Sequence, residues 1–236
     1  MPANETYYCV CMTPDTQSSS ADQARLKHHK AAVLNAARWD LGTSISVRFL
    51  GGDGGLQRRV QDVAMEWTKI ANLDFDFRAA GPTDIRIAFQ PGAGSWSYLG
   101  TMCRQIEEPK PTMNYGWLTT ASPDSEVRRV VLHEFGHATG LIHEHQNPKH
   151  GISWNRPAVI HDLSGPPNNW NEATIDNNMF RFYPPGDVMA TDVDPLSIMM
   201  YPIPKAWTLD GFSAGMNSEL SSDDKELIRN AYPGRL

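Results

Sequence analysis

The chain has 236 residues, 40% of them apolar and 20% charged, enough to bury a sizeable core within one domain. Its formal charge of −6 and its short basic runs exclude a nucleic-acid binder, which needs clustered Lys and Arg. No stretch approaches the roughly 18 apolar residues of a membrane span, and residues 1–20 lack both the charged start and the apolar centre of a secretory signal. A soluble monomer with no nucleic-acid partner and no membrane insertion is expected.

In chain order, residues 1–20 are rich in Thr, Ser, Gln and Pro and predict a poorly ordered N-terminal segment. Strong helix formers around Leu26, Val33 and Ala36 suggest a helix from Asp22 to Trp39. Ile45, Val47 and Phe49 alternate with polar residues, the mark of a strand with one buried face. Gly51, Gly52, Gly54 and Gly55 surround Asp53, but no lysine follows in the place a phosphate loop requires, so this is read as a strand-to-helix turn. Leu56, Val60, Val63, Trp67 and Ile70 recur at steps of four and three and predict an amphipathic helix with Trp67 in the core. Two alternating strands follow, at Leu73 to Phe77 and at Ile85 to Phe89, and a third is expected within Thr112 to Leu118.

Ser122-Pro123 then supplies a cap and a first-turn proline for a helix with Val127, Val130, Val131, Leu132 and Phe135 on its apolar side. On that helix His133 and His137 are four residues apart and share a face, with Glu134 one step round from the first. Gly140 tolerates the left-handed backbone that ends helices and can turn the chain to bring in His143 as a third nitrogen ligand. Three histidines leave one position of a tetrahedral zinc site open, the catalytic rather than the structural arrangement, with Glu134 placed to take a proton from water there. Isolated histidines are commonly core or surface residues; the fixed spacing of the whole pattern separates this set from that reading.

Prolines from Pro148 to Pro204 break up the chain after His143, leaving mostly loop with a short helix near Pro157 to Asp162. Ser221, followed three residues later by Asp224 and then by Leu227 and Ile228, signals a final helix. The organisation expected is a loose segment over 1–20 and one domain over 21–236, with an upper lobe over about 40–140, a lower lobe over about 141–236 and the metal between them. Three cysteines, Cys9, Cys11 and Cys103, allow at most one bridge, to Cys103. A second zinc site using Cys9, Cys11, His28 and His29 is disfavoured. Cys9 or Cys11 could instead reach the open metal position and hold the protein latent, since thiolate is a strong zinc ligand. The bland alternative, a loose polar tail, is the reading adopted.

The segment His133 to Glu144 resembles the zinc signature of the metzincin endopeptidases and, within them, the astacin family. Ser197-Ile198-Met199-Met200-Tyr201 looks like that family's Met-turn. The resemblance runs from about Trp39 to Pro233 and takes in Ser95 to Gly100 and Leu220 to Asp224. It implies an α+β metzincin fold: a twisted mixed sheet with the active-site helix in the upper lobe, and an irregular lower lobe with a C-terminal helix. It further implies one catalytic Zn2+, protein or peptide substrates, and hydrolysis of internal peptide bonds. By the same resemblance Met199 forms a floor beneath the zinc, and Tyr201 is a further zinc ligand that swings away to stabilise the tetrahedral intermediate. Glu144 matches the glutamate that anchors a new N-terminus in activated members. Substrate is expected against an edge strand at Met113, Asn114, Tyr115 and Gly116, unless a loop covers it. The family's Arg-x-Asp after that glutamate is replaced here by Gln146-Asn147-Pro148-Lys149, and the cysteine pairs of animal members are missing, which looks like a bacterial or fungal branch. Export is the family habit, although the chain shows no signal peptide. Two rivals share the motif: a processing or toxin-like protease with one dedicated substrate, and a non-catalytic zinc-stabilised binding module, against which the intact Glu134 argues.

Overall fold

The computed structural model describes residues 6–14, 33–147, 151–181, 188–189 and 192–235. A six-stranded sheet carries the upper part of the molecule, with strands β1 (Val10–Met12), β3 (Ser44–Phe49), β4 (Asp74–Phe77), β5 (Ile85–Ala88), β6 (Trp96–Tyr98) and β7 (Met113–Asn114) in the order β1-β6-β7-β5-β3-β4. Strands β4, β3, β5 and β7 run parallel, β6 lies antiparallel to β7, and β1 pairs parallel with β6. A small antiparallel pair joins β2 (Val33–Leu34) to β8 (Val188–Met189).

Helix α1 (Gly54–Thr68) begins where Asp53 accepts hydrogen bonds from the Gly55 and Leu56 amides at 2.7 and 3.3 Å. The glycine run before it is used at Gly52, where φ is +92° and a side chain would strike the Phe89 ring at 2.4 Å. Leu56, Val60, Ala64 and Trp67 turn to the core, each of the large side chains contributing on the order of 1.5–3 kcal/mol by leaving water. Helix α2 (Asp124–Ala138) packs alongside, joined to α1 by a hydrogen bond from Trp67 Nε1 to the Leu132 carbonyl at 3.1 Å. Arg128 on α2 adds an ion pair to Glu66 on α1 at 2.5 Å.

A second apolar cluster lies in the lower part, around Val159 and Leu163 of α3 (Arg156–Ser164), Ile175 of the short α4 (Glu172–Ile175), Met179, Ile203 and Trp207. Helix α5 (Ser222–Ala231) has the expected capping box between Ser221 and Asp224. It packs Leu227, Ile228 and Ala231, with Tyr232 after it, onto the main core beside α1 and α2 rather than onto the lower cluster. No helix among the described residues is long and apolar enough to cross a membrane.

Four expectations are corrected, the second of them over its described end alone. Residues 6–14 are not a loose tail: Tyr8, Cys9 and Cys11 are buried, and β1 adds to the sheet edge because β6 leaves backbone groups there to be paired. The helix foreseen over Asp22 to Trp39 lies mostly outside the described residues, and its described end forms β2 and a 3-10 turn over Asn35–Ala37. Strand β7 is two residues long and interior, bonded to β5 on one side and β6 on the other, so it cannot offer an edge to another peptide. At the start of α2, Pro123 occupies the cap position while Ser122 Oγ instead accepts the Thr119 amide at 2.9 Å.

Candidate metal centre

The end of α2 is shaped by Gly140, whose φ of +96° turns the chain out of the helix. The Gly140 amide donates to the His137 carbonyl at 2.8 Å and the Leu141 amide to the Gly136 carbonyl at 3.0 Å, the paired bonds of a Schellman end. Remaining carbonyls are satisfied from elsewhere in the chain, Ala138 by Trp39 Nε1 at 2.8 Å and Thr139 by the Tyr232 hydroxyl at 2.6 Å. The turn is thereby fixed, and it delivers His143 to the face that carries His133 and His137.

One ligand atom from each of these three buried rings lies within 4.8 Å of the others. Since carbonyls only accept, the contacts of His133 Nδ1 with the Ile198 carbonyl and of His137 Nδ1 with the Leu141 carbonyl, both at 2.8 Å, put the proton on Nδ1. Each Nε2 then carries a free lone pair. His133 Nε2 has no protein partner, and His137 Nε2 faces His143 Nε2 at 3.2 Å. Burial pushes all three imidazoles down, His137 to about 4, so they are neutral donors. Converging, uncharged, buried nitrogen lone pairs are repulsive without a cation, and three imidazoles suit zinc. The set fits one catalytic zinc ion.

On the ligand-bearing helix, Met199 Sδ sits where a Cβ on Gly136 would come within 2.4 Å, so the small residue in the helix and the methionine of the loop are matched. That loop is pinned by Asp224 of α5, which accepts from Ser197 Oγ at 2.7 Å and from the Ile198 amide at 2.8 Å. Asp224 thus joins the helix cap to the floor of the site. Glu144 is buried beside the third histidine, accepting from Asn147 Nδ2 at 3.0 Å and the Asp194 amide at 3.3 Å.

Glu134 is fully buried, and this pushes its carboxyl well up, with the neighbouring Cys9 thiol and the Arg129 guanidinium opposing the shift. Arg129 is itself fixed by Glu126 through contacts of 2.8 and 2.6 Å. Burial first, and then the Glu134 carboxylate, push the Cys9 thiol well up. The Tyr201 hydroxyl donates to the Cys9 carbonyl, and its ring packs 4.2 Å from that of His143 and 5.9 Å from that of His133. The chain's own residues 8–12 therefore lie across the mouth of the centre.

The structure places Glu134 on the helix of His133 and His137, with Met199 against Gly136 of that helix and the Tyr201 ring beside His133 and His143. Met113, Asn114, Tyr115 and Gly116 are elsewhere in role: the first three are buried, and the Asn114 side chain ties down Gln90 and Gly94. Sequence reasoning did not find Gly136, Arg129 or Asp224 as parts of the site. Only thiol affinity for zinc hinted at Cys9.

No protein-family model and no curated protein sequence matches the chain. Among solved structures, one of myroilysin is 42% identical, covering 86% of this chain and 99% of that one with a TM-score of 0.83. A second myroilysin structure is 35% identical, covering 99% and 94%, with a TM-score of 0.71. High choriolytic enzyme 1, a hatching-enzyme zinc-protease of the medaka Oryzias latipes, shares the fold at 16% identity, 83% and 94% coverage and a TM-score of 0.51. The three-histidine centre and this likeness across nearly the whole chain place the protein in the astacin-like zinc metalloendopeptidases of the metzincin clan.

Proposed function

We propose that the protein hydrolyses internal bonds of polypeptides with Glu134 as general base and Tyr201 as stabiliser of the oxyanion, and that the present arrangement is its latent one. The observation that carries this is the placement of Cys9: its thiol neighbours Glu134 and its carbonyl accepts from the Tyr201 hydroxyl. A substrate carbonyl set in the same place would meet the same donor.

His133, His137 and His143 would hold the ion, which when bound supplies the Lewis acidity that acidifies water and polarises a carbonyl. Glu134 takes the proton of the attacking water and returns it to the departing amine, so no covalent intermediate is needed. Tyr201 donates to the carbonyl oxygen as charge develops there, a role open to it once Cys9 withdraws. Arg129, close to both Cys9 and Glu134, keeps positive charge near the base. An extended substrate would pair with β6, the strand now covered by β1, because a strand edge satisfies the backbone of any extended peptide.

The test is Glu134→Ala. It should keep the parent's zinc content while losing nearly all casein cleavage, with the loss in kcat. A variant that cleaved at close to the parent rate would remove Glu134 from the chemistry.

A further inference from the structure

His133 is held by a chain of hydrogen bonds that ends on a buried acid. Its Nδ1–H donates to the Ile198 carbonyl at 2.8 Å. That carbonyl belongs to the same peptide unit as the Met199 amide, which donates to Ser197 Oγ at 3.0 Å. Ser197 Oγ in turn donates to Asp224 Oδ1 at 2.7 Å. Every donor points the same way, from the imidazole towards the carboxylate, so each bond polarises the next. His133, Ser197, Ile198, Met199 and Asp224 are at most 4% exposed, a dry setting in which such polarisation is least screened.

The far end of the chain is itself anchored. Asp224 Oδ2 accepts from the Ile198 amide at 2.8 Å and from the Ser221 amide at 3.0 Å, the latter within the capping box of α5. The cap thus engages Oδ2, whereas Oδ1 is turned to Ser197. Burial pushes the Asp224 carboxyl up, and the bonds from Ile198, Ser197 and Ser221 oppose the shift. All three partners donate, which suits the ionised form. His137 is held differently, on the Leu141 carbonyl at 2.8 Å in the turn that follows its own helix.

We propose that Ser197 and Asp224 are positioning residues for the metal ligand His133, closing a relay from the buried carboxylate through the Ser197 hydroxyl and the Ile198–Met199 peptide to Nδ1. No proton is transferred along it. The relay fixes the tautomer and the plane of the ring, and the electron density it directs to the imidazole strengthens Nε2 as a zinc donor. It also couples α5 to the ligand-bearing helix, so the C-terminal helix helps to set the metal's affinity. The inference concerns the zinc site alone and goes beyond the function proposed above, since it holds whichever group acts as base.

The test uses the full chain loaded with zinc. In the parent, proton NMR should place the His133 Nδ1–H resonance downfield of that of His137, although both bonds are 2.8 Å long. A His133 proton level with that of His137, or upfield of it, would overturn the relay. Ser197→Ala removes one buried oxygen and cuts the chain while the Asp224 bonds to Ile198 and Ser221 stay in place. Its zinc Kd, measured in competition with a chromogenic chelator, should rise about tenfold, the lower end of what a hydrogen-bonded partner of a metal ligand is worth. The His133 resonance should move upfield and that of His137 should not. Ser221→Ala is the control for a purely structural part, because it removes the cap hydroxyl and leaves the relay intact. It should lower the melting temperature yet keep the parent's zinc Kd and both resonances. A Kd for Ser197→Ala equal to the parent's, or a rise matched by Ser221→Ala, would reduce Ser197 and Asp224 to packing of the loop.

Discussion

Tyr201 and Gly136 show how much a single position can be asked to do in this centre. The Tyr201 hydroxyl is spent on the Cys9 carbonyl here, in the manner it would serve a reacting carbonyl. Tyr201→Phe should therefore retain fold and zinc while lowering kcat by about 10² to 10³, the usual cost of one oxyanion donor. A fall below about tenfold would make the tyrosine a packing residue. Gly136 has no conformational reason to be glycine within a helix; its reason is the Met199 sulfur and the Trp67 ring, 2.4 and 3.3 Å from where a Cβ would stand. Gly136→Ala gains helix propensity, worth about 1 kcal/mol, yet must displace the floor of the site at a cost of about 1–3 kcal/mol. Urea unfolding should show a net loss of stability, and an equal or higher midpoint would show that the loop yields without cost.

At the scale of elements, β1 covers the edge of β6 on which the proposed substrate pairing depends. Its three residues pair with β6 from Val10↔Trp96 to Met12↔Tyr98, occupying the edge that an extended substrate would need. The two cysteines of this segment differ in what they face. Cys11 packs with Ala37, Leu99, Met102 and Ile142 and is reached by Glu134 only through its charge, whereas the Cys9 thiol adjoins Glu134 directly. Cys9→Ser should thus raise the initial rate of peptide cleavage and shorten any lag, while Cys11→Ser should leave both as in the parent. Identical progress curves for the parent and Cys9→Ser would show that β1 sits over the site without restraining it. The loop over Ser197–Tyr201 is the second such element, held from one side by Asp224 of α5 and on the other by the bond from the Glu144 amide to the Met199 carbonyl at 3.0 Å.

Over the whole molecule, the centre joins parts that are otherwise separate cores. His133 and His137 belong to α2 of the upper core, His143 follows its end, and Tyr201 lies in the lower cluster. Without an ion His133 Nε2 has no partner and the Nε2 atoms of His137 and His143 have only each other, so zinc should add stability through its preference for the folded chain. At a free-ion concentration about 1,000 times Kd the gain is about 4 kcal/mol. Chelation should accordingly lower the melting temperature by several degrees, and adding zinc should restore it. An unchanged melting temperature after complete removal, checked by elemental analysis, would mean that the three rings are no more than packing.

The helix bearing the ligands, its Gly140 stop, the amphipathic α1 and the Ser221–Asp224 cap were all legible from the sequence, because each is written within a few consecutive residues: a period, a cap, a turn. The family resemblance supplied Met199 and Tyr201, which alone read as core residues. Sheet order was not legible. Strand β7 has two residues, too few to show alternation, and its interior position follows from pairing with β5 and β6 rather than from anything in its own sequence. The segment around Cys9 reads as polar and loose by composition. It becomes ordered because β6 has an unpaired edge, Asn168, more than 150 positions away, accepts the Tyr8 amide, and Trp170 and Trp207 pack against the Tyr8 ring. Local encoding fixed the three histidines and the glutamate beside them, whereas which backbone lies near them was decided by contacts between distant residues, which no short stretch can specify.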